Sequence, residues 1–267
     1  MSQRESKDLK APVMEVFSSF QGEGLYAASP QVFLRLAGCP LRCAWCDTPG
    51  SWELAEGAQA RVRTTTEKRS EPAWASPEDA QRWIDEVDPT GRMTVSVTGG
   101  EPLLWAEFLL ALRPLLGRRR VHLETAGAHP ESLRRVLHVC DHVSADLKLP
   151  LDMGAPVAVG FDEEETSPVS QEDWRRSRRA LLGLLRDQDA CGKVVIAGGH
   201  PAAAYEELFD DVTERASELW LFLQPATPIG GALGPTREEV ERLAAAAKGR
   251  GLRARVLGQL HRAWKLP

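Results

Sequence analysis

Short apolar runs alternate with helical segments along most of this 267-residue chain, and that rhythm leaves few folds open. Strands are predicted at 32–36, 93–97, 121–124, 142–145, 194–197, 219–223 and 252–256. A helix opens at Ser76-Pro77, with serine as N-cap and proline at the first helical position, and Ala80, Trp83, Ile84 and Val87 follow helical spacing. Further helices are expected at 103–116, 131–137, 172–186, 203–216 and 237–248. Short apolar strands alternating with helices argue for parallel βαβ units, with the sheet covered by helices. The expected architecture is α/β: one domain over 12–267 forming an incomplete TIM-like (β/α) barrel, preceded by a polar extension at 1–11. Its chemistry would lie just after the strand ends, where barrel enzymes place it. Segments 53–75 and 150–169 break the rhythm and are expected to be surface loops or lids.

Composition narrows the function classes. A net charge of −5 supplies no general field for nucleic acid. The runs Arg118-Arg119-Arg120 and 175–179 read as solvated faces. No apolar stretch reaches membrane-spanning length, and residues 1–10 lack the apolar segment of a secretory signal. With five cysteines besides, a reduced cytoplasmic setting is the expectation, with neither nucleic acid nor membrane as partner.

Three of those cysteines, Cys39, Cys43 and Cys46, fall in one short loop after the strand at 32–36. Thiolates at this spacing can each hold one iron of a 4Fe–4S cube and leave the fourth iron without a protein ligand. Most protein-held clusters have four cysteine ligands. A vacant metal position is where a small molecule can bind and react. A structural zinc would want a fourth Cys or His close by, yet the next ring nitrogen is His122 and the remaining thiols are Cys140 and Cys191, each alone among apolar neighbours. A disulfide framework suits neither an odd count nor this length. Cys140 and Cys191 are expected to be buried and inert.

The loop Cys39-x3-Cys43-x2-Cys46, with Trp45 before the third cysteine, resembles the cluster loop of radical S-adenosylmethionine (SAM) enzymes. Thr98-Gly99-Gly100-Glu101-Pro102, after the strand at 93–97, resembles their Gly-Gly-Glu-Pro strand end. Glycines there would let backbone carbonyls approach the SAM ammonium, and Glu101 would supply negative charge. Within the superfamily, the stretches from Glu15 to Gly24 and from Val32 to Cys39 are similar to the start of 7-carboxy-7-deazaguanine synthases. So are Leu123-Glu124-Thr125, Val143 to Lys148, Leu223-Gln224-Pro225, Gln259-Leu260-His261 and the final Leu266-Pro267.

That resemblance implies a (β/α)6 barrel of the radical SAM type and a radical ring contraction. 6-Carboxy-5,6,7,8-tetrahydropterin would become 7-carboxy-7-deazaguanine with loss of ammonia, on a route to deazapurines such as queuosine. SAM would be used catalytically by this carbon–nitrogen lyase, and the adenosyl radical, not a side chain, would do the chemistry. The resemblance places a 4Fe–4S cluster on Cys39, Cys43 and Cys46 and Mg2+ beside the Thr48 hydroxyl. Substrate contacts would come from Phe20, Gln21, Gly22, Glu23, Arg35, Thr98, His261 and the carboxylate of Pro267. Arg35, a fixed cation, suits the substrate carboxylate. Gly100, Glu101, Ser144, Asp146, Lys148, Gln224, Pro225, Ala226 and Thr227 would line the SAM side. A homodimer and an electron donor such as flavodoxin or ferredoxin are also implied. Two other readings compete: a radical SAM enzyme of another branch, such as a glycyl-radical-enzyme activase, and a zinc- or cluster-bearing binding module without catalysis.

Overall fold

The structure is a computed structural model that describes residues 9–159, 165–228 and 233–266. Strands β1 (Ala11–Phe20) and β2 (Pro30–Leu36) form an antiparallel pair. A two-residue β3 (Arg42–Cys43) lies in the cysteine loop, followed by β4 (Gln59–Arg63), β5 (Lys68–Pro72) and β6 (Trp74–Ala75). The chain then runs through α1 (Pro77–Val87), β7 (Thr94–Gly99), α2 (Ala106–Leu115), β8 (Val121–Thr125), α3 (Pro130–Val136) and β9 (His142–Asp146). After the short β10 (Met153–Gly154) come α4 (Gln171–Leu185), β11 (Ala190–Ile196), α5 (Ala202–Ala216), β12 (Trp220–Pro225), α6 (Arg237–Gly249), β13 (Ala254–Val256) and α7 (Leu260–Ala263).

Strands β2, β7, β8, β9, β11, β12 and β13 are parallel neighbours in that order. Helices α1 to α6 follow the first six of them in turn, so the barrel has six β/α units and a closing strand. Its edges, β13 and β5, do not pair among the described residues, and the barrel stays open on one side.

Local chemistry explains the helices. Ser76 accepts from the Asp79 N–H at 3.2 Å while Asp79 accepts from the Ser76 N–H at 3.3 Å, a reciprocal cap that starts α1. The same device opens α4 at Ser170 and Asp173, and α6 at Thr236 and Glu239. On α1 the buried face is Ala80, Trp83, Ile84 and Val87, packed over β1, β2 and β4. Each large side chain so buried stabilises the fold by roughly 2 kcal/mol. No helix among the described residues is long and apolar enough to cross a membrane.

Three expectations change. The cysteine loop follows the second strand, because β1 precedes it and adds an antiparallel member with Ala11, Val13 and Val16 fully buried. Segment 53–75 is no loop: β4 and β5 make a hairpin that extends the sheet beyond β1, with Ala60 and Val62 turned into the core. Segment 150–169 contributes β10, which pairs with β3 inside the cysteine loop, Met153 opposite Cys43. The acidic run at 162–165 lies mostly outside the described residues.

Candidate active site

The cysteine loop is tied down on both flanks by backbone. Gly38 N–H donates to Ser51 O at 2.9 Å, Cys39 N–H to Trp52 O at 3.0 Å, and Ala44 N–H to Asp152 O at 2.9 Å. Arg42 donates to the Cys39 carbonyl at 2.7 Å and stacks over Trp52 at 4.7 Å. Cys39, Cys43 and Cys46 all line one cavity of about 450 Å³. Among the described residues no three His, Cys, Asp or Glu converge on a single ion position. Thiols spread along one wall suit a polynuclear cluster, with one thiolate per iron. Burial, then the nearby Glu101 carboxylate, pushes the Cys39 thiol up to about 12, and burial also raises Cys43 and Cys46. Such thiols stay neutral until a cationic metal group draws off their protons. Beside them the Trp45 ring lines the cavity, and its indole N–H is buried without a hydrogen-bond partner among the described residues.

The end of β7 meets this loop at backbone distance. A Cβ on Gly100 would lie 2.2 Å from the Gly38 carbonyl oxygen, and one on Gly99 would lie 2.0 Å from the Leu36 oxygen. The glycines are therefore required for strand-to-loop packing, whatever ligand approaches them. Gly100→Ala is expected to push the cysteine loop out of place, lowering bound iron after reconstitution and the unfolding midpoint together. Wild-type iron content in that variant would remove the packing argument. Glu101 turns inward: its carboxylate accepts from Leu103 N–H at 3.0 Å, Thr125 Oγ1 at 2.9 Å and Ala126 N–H at 2.8 Å. It anchors the strand ends and does not line the cavity.

A charged network lines the same cavity. Lys193, on β11, reaches Glu23 at 2.9 Å, Asp146 at 3.2 Å and Glu124 at 3.9 Å, while Lys148 pairs with Asp146 at 2.8 Å and lies 4.3 Å over the Trp45 ring. Burial alone would raise both Asp146 and Glu23. The adjacent ammonium groups win, holding Asp146 at about 2 and Glu23 below the usual carboxylate range. Glu23 also accepts from Gln224 at 3.1 Å and Gln259 at 2.8 Å. It is a fixed anion facing the cavity.

The connection after β1 folds into the barrel as a floor. Gln21 donates to Glu124 at 3.0 Å, and Gly24 packs against Cys191 and Ser144 so closely that a Cβ would sit 3.2 Å from each. The C-terminal segment closes over it: Leu260 N–H donates to Gly22 O at 3.0 Å, and Trp264 meets Phe20 edge-on at 6.4 Å. At the rim, Thr48 Oγ1 donates to Asp47 at 2.9 Å, and Asp47 lies 3.9 Å from His261. Two oxygen donors in sequence suit a hard cation such as Mg2+.

One cavity thus gathers the expected Phe20, Gln21, Gly22, Glu23, Arg35, Thr48, Thr98, Gly100, Asp146, Lys148, Gln224, Ala226, Thr227 and His261 with the three cysteines. Ser144 and Pro225 join Glu101 outside its lining. Ser144 sits beneath the floor, bonded to His122 at 2.8 Å: it shares a strand face with Asp146 but lies two residues nearer the start of β9, and only Asp146 reaches the open end. Pro267 lies outside the described residues. Sequence reasoning missed Lys193, Glu124, Asp47 and Gln259 as members of the site. Lys193 had a signal: a lone charge inside the otherwise apolar strand Ala190–Ile196.

Comparisons with known proteins bear on the family and the fold. The Radical SAM superfamily matches residues 34–153. A 7-carboxy-7-deazaguanine synthase of Methanothermobacter thermautotrophicus is 31% identical over 224 residues, covering 82% of this chain and 84% of that protein. One from Methanopyrus kandleri is 41% identical over 195 residues, covering 65% and 76%. The crystal structure of QueE from Escherichia coli superposes with a TM-score of 0.56 over 96% of this chain and 98% of that one, at 22% identity, which speaks for the fold.

Proposed function

This chain belongs to the 7-carboxy-7-deazaguanine synthase family of the radical SAM superfamily, and from that membership we propose that it converts 6-carboxy-5,6,7,8-tetrahydropterin to 7-carboxy-7-deazaguanine with loss of ammonia. One observation carries the reading: three cysteines and the fixed anion Glu23 line a single cavity. Membership brings a 4Fe–4S cluster and SAM, which when bound and reduced supply a carbon radical able to take hydrogen from substrate.

The residues of this chain bind and orient. Cys39, Cys43 and Cys46 would hold three irons. Asp146, Lys148, Gln224 and Thr227 offer charges, donors and acceptors for SAM. Glu23, kept ionised by Lys193, would accept from the guanidine-like N–H edge of the pterin. Arg35 would take its carboxylate. Thr48 and Asp47 would share Mg2+ with substrate and water. The floor loop and the C-terminal segment keep bulk water from the reacting centre. A glycyl-radical activase has no need for the Gln21 to Glu23 floor, and the relatives above do not favour that reading.

The setting we propose is cytoplasmic, on a route to queuosine-type deazapurines, with a flavodoxin or ferredoxin as reductant and a homodimer as the working form. Sedimentation at monomer mass under assay conditions would remove the dimer. Turnover with dithionite but with neither protein donor would remove those donors.

The deciding assay incubates reconstituted, reduced enzyme with SAM, Mg2+ and carboxytetrahydropterin and looks for the deazaguanine acid by mass. Accumulation of 5′-deoxyadenosine alone would refute the substrate assignment. In the same assay Thr48→Ala is expected to keep the cluster spectrum while raising the Mg2+ requirement about tenfold. An unchanged Mg2+ response would take Thr48 out of the metal site.

A further inference from the structure

Glu15, on β1, lies opposite Arg35 of β2 and Arg61 of β4 in the sheet register. Its carboxylate is 9% exposed and meets three guanidinium groups. Arg35 donates through Nε to Oε1 at 2.9 Å, and Oε2 takes Arg63 and, at 3.3 Å, Arg61. Phe17, stacked on Phe33 with ring centroids 5.2 Å apart, lies 5.9 Å from the Arg35 guanidinium and 5.3 Å from that of Arg63. Of the three arginines, Arg35 lines the cavity, together with both phenylalanines. The other two arrive on the hairpin inserted between the cysteine loop and α1.

A carboxylate this close to Arg35 would ordinarily compete with any anionic ligand for it. Here the competition is relieved twice. Glu15 engages Arg35 only through Nε, and no hydrogen bond among the described residues occupies its two terminal nitrogens. Those nitrogens form the edge that pairs with a planar anion. The second oxygen of Glu15 is taken up by the hairpin arginines, so three positive charges stand against one negative at this end of the cavity.

We propose that Glu15 and Arg63 are positioning residues for a ligand carboxylate: Glu15 holds Arg35 by Nε with its terminal nitrogens toward the cavity, and Arg63 neutralises Glu15 so that Arg35 keeps its charge for the ligand. The inserted hairpin is thereby part of substrate selection. The choice of ligand rests on the carboxypterin reading above.

Reconstituted holoenzyme with SAM and Mg2+ is titrated with fluorescent 6-carboxypterin and, separately, with pterin lacking the carboxylate. Arg63→Gln is expected to weaken 6-carboxypterin about five- to tenfold, to leave pterin within about twofold, and to raise KM for the carboxylated substrate while sparing kcat. Arg63→Lys should restore most of the affinity. In a Glu15→Gln background the Arg63→Gln effect should shrink to within about twofold, since no carboxylate remains to neutralise. Iron content and circular dichroism identify a variant that fails to fold, and Arg63→Lys then carries the comparison with wild type. Equal weakening of both pterins would make the hairpin merely structural and overturn the proposal. So would an undiminished effect in Glu15→Gln, or no effect at all. A wild-type protein that binds neither pterin would instead refute the substrate reading, and this proposal with it.

Discussion

Cys43→Ala is expected to yield a colourless protein with no detectable turnover, the largest effect of any single change in this chain. Cys43 is one of three thiols along the cavity wall, and no spare thiol stands near. Cys140 bonds the Val136 carbonyl at 3.3 Å at the end of α3, and Cys191 is held by Ser144 beneath the floor. Two thiolates cannot retain a cube that normally needs at least three. The fold itself should persist, because the loop is anchored by backbone bonds that the substitution leaves alone: Gly38 to Ser51, Cys39 to Trp52 and Ala44 to Asp152. Iron analysis, the visible spectrum and a thermal melt separate these statements. A variant that kept full iron and a SAM-dependent spectral change would end the assignment of Cys43 as a ligand.

Lys193→Met should be nearly as damaging, and for an electrostatic reason that pH exposes. The ammonium group is 7% exposed among Glu23, Glu124 and Asp146. Removing one partner of a buried ion pair costs about 3–5 kcal/mol, because the remaining charges are left uncompensated. In the wild type Glu23 is held below its ordinary 4.5 despite burial, so its contribution is present above that value and lost as pH falls through the lowered one. Without Lys193, burial governs and Glu23 rises above its ordinary value. Its contribution then holds only at acidic pH and is lost as pH rises. The stability gap between the two proteins should therefore be small in acid and widen toward neutrality, while Asp146 keeps Lys148 in both. Urea melts across the carboxylate range check this, and parallel pH profiles would refute it. Turnover should fall with the loss of the fixed anion at Glu23.

The barrel core was legible because its short strands carry apolar residues at regular intervals between segments of helical spacing. Ser76-Pro77 marks the start that the structure places at α1. The additions were not legible, for physical reasons. β4 and β5 read as solvent-exposed charge because only Ala60 and Val62 face inward, while Arg61 and Arg63 of β4 pair with Glu15 across the sheet and Arg69 of β5 pairs with Glu71 and Glu86. β1 has no clean alternation, since Val13, Val16 and Phe17 are all buried between neighbouring layers. In the site, Glu101 and Ser144 differ from expectation because motif spelling says which residue is present and not which way it turns. One carboxylate caps the strand ends, and one hydroxyl bonds His122 below the floor. The partners of Lys193, Glu124 among them, became visible only when strands far apart in sequence came together.

β2 has a mechanical consequence. The floor that would read the pterin enters at Pro30, the cysteine loop leaves after Leu36, and Arg35 points inward between them. One seven-residue strand of roughly 20 Å is thus the gauge that spaces ligand from metal. Outer helices and the hairpin can drift in length without disturbing that gauge. A single residue added to β2 without a compensating bulge would swing Arg35 to the far face and move the two loops apart by about 3.3 Å.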